Sequence, residues 1–188
     1  MIEVEVKLPL FRRSITERAL AQCGFVAGDL IQESDIYYTS DFRDFMARDE
    51  ALRIRQSDNL TKITSRSILT FKGPKMDQVS MTRKELETVV ESPEECRAIL
   101  VSLGYKPLFP VNKLRQYYHK DNITACVDQV SELGSFLELE ILVEDESMRE
   151  DALKKIEDIL SDLDLSLKES TTRSYLCMLQ RKAGIQVD

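Results

Sequence analysis

The chain has 188 residues, and its 26 Lys and Arg against 33 Asp and Glu give a formal net charge of −7. This acidic balance argues against a general nucleic-acid binder, which would carry a basic surface. Hydrophobic residues form 43% of the chain, enough for a core, and no apolar run approaches the roughly 18 residues of a membrane span. We therefore expect a single globular domain over residues 1–188 that binds neither nucleic acid nor a membrane.

In chain order, the apolar patterning predicts a strand at 2–8, a helix at 12–23, a strand at 31–39, a loop or single helical turn at 41–49, and strands at 51–56, 67–72 and 82–90. A helix at 92–103, strands at 111–120, 123–129 and 136–143, and helices at 147–160 and 174–182 follow. The dipeptide Gly73-Pro74 is a strong turn signal and is predicted to end the fourth strand.

Cysteine and histidine usage excludes several classes of site. The four cysteines are far apart and lack metal-site spacing; they are Cys23, Cys96, Cys126 and Cys177. We expect reduced thiols in a cytoplasmic protein, because no basic segment followed by an apolar one marks a secretory signal. The single histidine, His119, cannot form a three-histidine zinc site, and no glycine-rich phosphate loop occurs.

The predicted strands carry charged residues of both signs on one face. That face holds Glu3, Glu5, Lys7, Arg53, Arg55, Thr70, Lys72, Arg83, Glu85, Glu87, Lys113, Arg115, Glu138 and Glu140. A solvated sheet surface would explain any one of these strands alone. With so many strands and few helices, we expect a barrel whose helices pack outside and whose charged faces point inward. A charged interior is costly unless its charges pair or a charged ligand fills it.

The residue types on that face indicate which ligand it would take. Carboxylates two residues apart on a strand point the same way, about 7 Å apart. The pairs Glu3/Glu5 and Glu138/Glu140 therefore suit Mg²⁺ or Mn²⁺, which prefer oxygen ligands. Lysine and arginine beside them suit phosphate oxygens. A divalent metal ion together with several basic side chains is a recurring arrangement in phosphoryl-transfer sites.

The run Glu3-Val4-Glu5-Val6-Lys7 resembles the E-x-E-x-K signature of the CYTH superfamily, named for class IV adenylyl cyclases and thiamine triphosphatases. The likeness continues in order over nearly the whole chain, at residues 32–38, 50–55, 69–74, 83–87, 113–115, 128, 133–136, 138–140 and 174–175. The class IV adenylyl cyclase branch is the most similar, notably around residues 35–38, 50–55 and 133–138. The signature alone is weak, but the ordered series is specific.

The resemblance implies an α+β fold, a closed antiparallel β-barrel of about eight strands that forms a triphosphate tunnel, with helices outside. It implies triphosphate binding by residues matching Lys7, Arg53, Arg55, Lys72, Arg83, Lys113 and Arg115. It implies Mg²⁺ or Mn²⁺ bound by Glu3, Glu5, Glu85, Glu87, Glu138 and Glu140. Catalytic roles would fall to Lys7, Lys72, Lys113, Arg115 and the tunnel residue Asp128. The resemblance also makes a homodimer plausible.

The sequence is compatible with two reactions and with one non-catalytic role. In a cyclase, the ribose 3′-oxygen of ATP attacks the α-phosphorus, so that cyclic AMP forms and pyrophosphate leaves. In a triphosphatase, water attacks the terminal phosphorus of thiamine triphosphate, a nucleoside triphosphate or inorganic tripolyphosphate. A protein of a third kind would only bind a triphosphate or polyphosphate.

Overall fold

The computed structural model describes residues 2–76 and 83–185. In chain order its elements are β1 (Ile2–Leu10), α1 (Arg13–Gln22), β2 (Val26–Ser40), β3 (Ala51–Asn59), β4 (Thr64–Lys75), β5 (Arg83–Val89), α2 (Pro93–Ser102), β6 (Tyr105–Lys120), β7 (Ile123–Val130), β8 (Gly134–Val143), α3 (Arg149–Asp162) and α4 (Tyr175–Lys182). Short 3-10 helices lie at Glu146–Met148 and Leu167–Glu169. In the described ranges the predicted class is confirmed, with eight antiparallel strands in a closed barrel and four α-helices outside.

The strands close into a barrel in the order β1-β5-β4-β3-β2-β6-β7-β8, and β8 pairs back onto β1. The register sets charged residues directly opposite one another: Glu5 faces Glu140, and Lys7 faces Glu138. Successive side chains of a strand point to opposite faces, so all charged residues of one parity reach the same side of the wall.

The outward faces of the strands form the apolar core beneath the helices. Val4, Val6 and Leu8 of β1 are fully buried in a cluster that includes Ile156 and Leu160 of α3. Burial of these side chains is what holds α3 against β1 and β8, because each fully buried aliphatic side chain contributes about 1.5–3 kcal/mol. The core therefore lies outside the barrel wall, and the charged faces are left to the interior.

The turn predicted at Gly73-Pro74 is wrong, since β4 continues through both residues to Lys75. The pairing of β4 with β5 shifts register between Lys72 and Lys75, and such a bulge leaves room for a proline without a ladder hydrogen bond. β6 likewise runs through Pro107 and Pro110, beside a register shift against β2. At Pro74, Pro107 and Pro110, proline therefore marks bulges rather than strand ends.

The remaining predictions concern the segment before β3, the cysteines, the start of β5, membrane-spanning helices and the domain boundaries. The segment 41–49 is irregular, with turns before β3. All four cysteines are free thiols. Thr82, the predicted first residue of the fifth strand, lies outside the described residues. Within 2–76 and 83–185, no helix combines the length and apolarity needed to cross a bilayer. The single domain over 1–188 stays a prediction.

Candidate active site

A cavity of about 660 Å³ lies inside the barrel. Its lining includes all but one of the predicted site residues: Glu3, Glu5, Lys7, Arg53, Arg55, Lys72, Arg83, Glu85, Glu87, Lys113, Arg115, Glu138 and Glu140. The exception is Asp128, which is fully buried in the wall behind Arg115. The strand pattern therefore brings together side chains from six of the eight strands in one cavity.

Three carboxylates form an acidic cluster at the junction of β1 and β8. One oxygen from each of Glu3, Glu5 and Glu140 lies within 4.8 Å of the others. Burial, then the charges of Glu5 and Glu85, raise the pKa of Glu3 to about 7. Burial and the neighbouring Glu3 charge raise the pKa of Glu140 to about 8, against the opposing charge of Arg115. These three oxygen donors fit a hard divalent cation, whose charge would relieve their repulsion.

Glu138 has a different environment from Glu140, its neighbour on the same strand face. Its Oε1 lies 3.0 Å from Lys7 Nζ, and its Oε2 accepts a hydrogen bond from Arg115. Burial opposes ionisation of Glu138, but Arg115 and Lys7 hold its pKa well below the usual range. Both oxygens of Glu138 thus face cations of the protein, and its metal-binding role stays a prediction.

The remaining predicted acids lie on β5. Glu85 forms an ion pair with Lys72 from the adjacent strand. Glu87 accepts a 2.8 Å hydrogen bond from the Thr70 hydroxyl, and its side chain is 47% exposed. Both acids line the cavity, but neither belongs to the three-carboxylate cluster.

Asp128 fixes the orientation of Arg115. The guanidinium donates through Nε and Nη2 to the two Asp128 oxygens, at 2.7 and 2.6 Å. The Tyr175 hydroxyl donates to the same carboxylate at 2.9 Å. Lys7 Nζ lies 4.3 Å from the Tyr175 ring centroid, and Lys113 Nζ lies 5.5 Å from it. The tyrosine therefore connects α4 to three cations of the cavity wall.

Two buried acids on β2 belong to this site although the charge pattern did not single them out. Asp35 accepts from Arg55 at 2.6 and 2.7 Å, and Glu33 Oε2 lies 2.9 Å from Lys113 Nζ. Their spacing could have indicated this position, because residues 33, 35 and 37 share one face of the predicted strand and Tyr37 lines the cavity.

Apolar side chains extend the lining beyond the charged strands. They are Phe45, Met46, Leu108 and Leu176, which come from the β2–β3 connection, β6 and α4. Arg173, just before α4, adds a basic residue outside the predicted set. One cavity therefore offers acidic, basic and apolar surfaces.

A closed antiparallel barrel with inward-facing acids and bases defines the class of protein, and the chain belongs to the CYTH domain family, whose model matches residues 1–175. A Methanocaldococcus jannaschii protein named "Putative adenylate cyclase" is 38% identical over 176 residues, which cover 94% of this chain and 97% of that one. The adenylate cyclase CyaB of Aeromonas hydrophila is 24% identical over 150 residues, covering 80% and 73% of the two chains.

Solved structures share the same fold. The PH1819 protein of Pyrococcus horikoshii has a TM-score of 0.88 and 34% identity, covering 96% of this chain and 99% of that one. A Hippeastrum protein with a reported dominant triphosphatase activity has a TM-score of 0.66 and 14% identity, with coverage of 98% and 96%. The latter likeness concerns the fold alone.

Proposed function

We propose that this protein is a metal-dependent enzyme that acts on a triphosphate held inside the barrel, as a class IV adenylyl cyclase would act on ATP. The observation that best supports this proposal is that the acidic cluster of Glu3, Glu5 and Glu140 and several buried cations line the same cavity. Burying so many charges is expensive, so a charged ligand is the best physical reason for keeping them.

The basic side chains of the cavity would bind and orient the phosphates. Lys7 and Lys113 are nearly buried and present ammonium groups from β1 and β6. Lys72 lines the cavity from β4 and forms an ion pair with Glu85. Such fixed donors in a poorly solvated site stabilise charge that develops on a leaving pyrophosphate.

In the proposed cyclase reaction, the ribose 3′-oxygen forms a bond to the α-phosphorus while the bond from that phosphorus to pyrophosphate breaks, and the proton of the 3′-hydroxyl leaves with the pyrophosphate. Glu3, Glu5 and Glu140 would hold Mg²⁺ or Mn²⁺, which would neutralise phosphate charge and lower the pKa of the attacking hydroxyl. The chain's own contribution is orientation of the phosphates by the basic wall.

The apolar lining favours a substrate with an organic group. Inorganic tripolyphosphate has no apolar surface for Phe45, Met46, Leu108 and Leu176 to contact. A nucleoside would bury its base against such side chains, as small-molecule sites usually do. The apolar lining therefore supports ATP rather than tripolyphosphate as the substrate.

Hydrolysis is the second candidate, and the charged part of the lining supports it, because the same cations and acids would serve attack by water on a terminal phosphorus. A purely binding role is less well supported, since a triphosphate binder has no need of the acidic cluster at Glu3, Glu5 and Glu140.

Product analysis distinguishes these functions. Purified protein is incubated with ATP and with tripolyphosphate, each with Mg²⁺ or Mn²⁺ and with excess chelator. Cyclic AMP with pyrophosphate supports the cyclase; orthophosphate supports the triphosphatase; binding without turnover supports the third role. Glu140→Gln should abolish metal-dependent turnover, and Glu157→Gln on the exposed face of α3 is the matched control. Undiminished turnover in excess chelator would rule out the metal-dependent mechanism.

A further inference from the structure

Two acidic side chains of β2, Glu33 and Asp35, are almost completely buried, with 3% and 1% of their surface exposed. Three cations that line the cavity contact them: Arg53, Arg55 and Lys113. The two acids are not part of that lining. They therefore lie behind the cations, in a place from which they act on a ligand only through other side chains.

Arg55 is held on three of its nitrogens by these two acids. Its Nε and Nη2 donate to Asp35 at 2.6 and 2.7 Å, and its Nη1 lies 3.2 Å from Glu33 Oε2. A guanidinium engaged on both edges has one orientation, because its planar donors match two carboxylates at fixed angles. These contacts fix the orientation of Arg55 within the protein itself.

Each acid also bridges cations from the strands on either side of β2. Glu33 Oε2 lies 2.9 Å from Lys113 Nζ on β6 and 3.2 Å from Arg55 on β3. Asp35 Oδ2 accepts from Arg55 and, at 3.4 Å, from Arg53, both on β3, and it lies 3.8 Å from Lys113 Nζ on β6. Without the acids, three like charges would repel one another at short range in a poorly solvated wall.

We infer that Glu33 and Asp35 are positioning residues, which hold Arg53, Arg55 and Lys113 in the arrangement that binds the phosphates of the ligand. The inference rests on the proposed function for its ligand, a triphosphate, and on the ion-pair geometry for its mechanism. These two acids and three cations together carry a net charge of +1, and Glu87, 3.8 Å from Arg53 Nη2, is a further acid beside them.

The ionisation of Glu33 agrees with a fixed role. Burial opposes its charge, but Lys113 and Arg55 lower its pKa to about 2. Glu33 therefore stays ionised at neutral pH and does not exchange protons with a substrate.

A purely electrostatic role predicts the opposite effect on affinity. If the acids only offset positive charge, then neutralising one of them makes the wall more positive and tightens triphosphate binding. If they position the cations, neutralising one lets the cations move apart and weakens binding, in spite of the added positive charge. The sign of the change in affinity therefore separates the two roles.

The test compares Glu33→Gln and Asp35→Asn with the exposed Asp58→Asn on β3, which removes the same charge outside the site. Calorimetric titration with inorganic tripolyphosphate and Mg²⁺ should show affinity weakened by about tenfold or more for the first two and unchanged for the third. Asp35→Glu, which keeps the charge, should retain more affinity than Asp35→Asn. In turnover, KM should rise more than kcat falls. Unchanged or tighter binding in Glu33→Gln would overturn the inference.

A ligand-free measurement keeps the inference separate from the proposed function. A crystal structure of Glu33→Gln should show Lys113 and Arg55 displaced from their positions in the unmodified protein. Unaltered positions would overturn the positioning role. If the unmodified protein binds neither tripolyphosphate nor ATP, the proposed function fails, and the side-chain positions in this variant still decide whether the acids hold the cations. If Asp35→Asn fails to fold, the test relies on Glu33→Gln. That variant is the milder change because it keeps an amide oxygen that Lys113 can contact.

Discussion

The Tyr175 hydroxyl, in the first turn of α4, donates a 2.9 Å hydrogen bond to Asp128 on β7. The two residues are 47 positions apart in the chain. Asp128 is completely buried and also accepts two hydrogen bonds from Arg115. A single carboxylate thereby fixes a helix on one side and a cavity cation on the other.

Tyr175→Phe should lower the free energy of unfolding by about 1–2 kcal/mol, because a buried charged acceptor loses one donor. It should also raise KM for the triphosphate, since Arg115 and α4 lose their common partner. Chemical denaturation and steady-state kinetics measure the two effects. Tyr118→Phe removes a phenol oxygen from the main apolar core and is the control for KM. A stability equal to that of the unmodified protein would show that the hydrogen bond contributes nothing.

Period-2 alternation predicted which face of the charged strands points inward, because charged residues recur at every second position along much of each one. Glu5, Arg55, Lys113 and Glu138 all reach the one cavity, as the barrel hypothesis required. The resemblance supplied the closed topology, which alternation alone does not determine. Strand ends were less predictable, since Gly73-Pro74 reads as a turn until the neighbouring strand is known to bulge there.

The sequence could not predict which charged side chains pair inside the site, because that pairing depends on the register between neighbouring strands. Glu138 and Glu140 are equivalent in a strand pattern, yet one faces Lys7 and the other faces Glu5. The roles of Glu33 and Asp35 depend on which cations lie on the two adjacent strands. Similarly, the place of Tyr175 depends on how α4 packs, and no local spacing encodes that contact.

Glu140→Gln and Glu138→Gln should have opposite effects on the protein without metal. Glu140 sits among like charges, so its neutralisation should leave stability unchanged or raise it at pH 8. Glu138 pairs with Lys7 and Arg115, so its neutralisation should cost about 3 kcal/mol by leaving buried cations short of a partner. Thermal melting with and without Mn²⁺ measures both, and the shift caused by Mn²⁺ should disappear in Glu140→Gln. Equal destabilisation by the two variants would contradict this division of roles.

Met46→Ala tests whether the apolar lining contacts an organic group. Met46 is 52% exposed, so its truncation should barely alter the stability of the protein. KM for ATP should rise by about fivefold, the effect of losing roughly 1 kcal/mol of apolar contact, with KM for tripolyphosphate unchanged. Met148→Ala, at an exposed methionine just before α3, is the control. An equal rise for both substrates would place Met46 against the phosphates and contradict a nucleoside site here.

The acidic cluster should make the stability of the metal-free protein fall as pH rises. Glu3 and Glu140 titrate near 4.5 when unfolded but near 7 and 8 when folded, so between these values the folded state binds more protons. The loss of stability should begin above about pH 4.5, grow through neutral pH and level off above about pH 8. Because a divalent cation competes with those protons, the rise in Tm caused by Mn²⁺ should be larger at pH 8.5 than at pH 6. Thermal melting from pH 5 to 9 measures both trends, and Glu140→Gln should flatten the metal-free profile. Stability that stays constant or increases over this range in the unmodified protein would show that these carboxylates do not share a buried site.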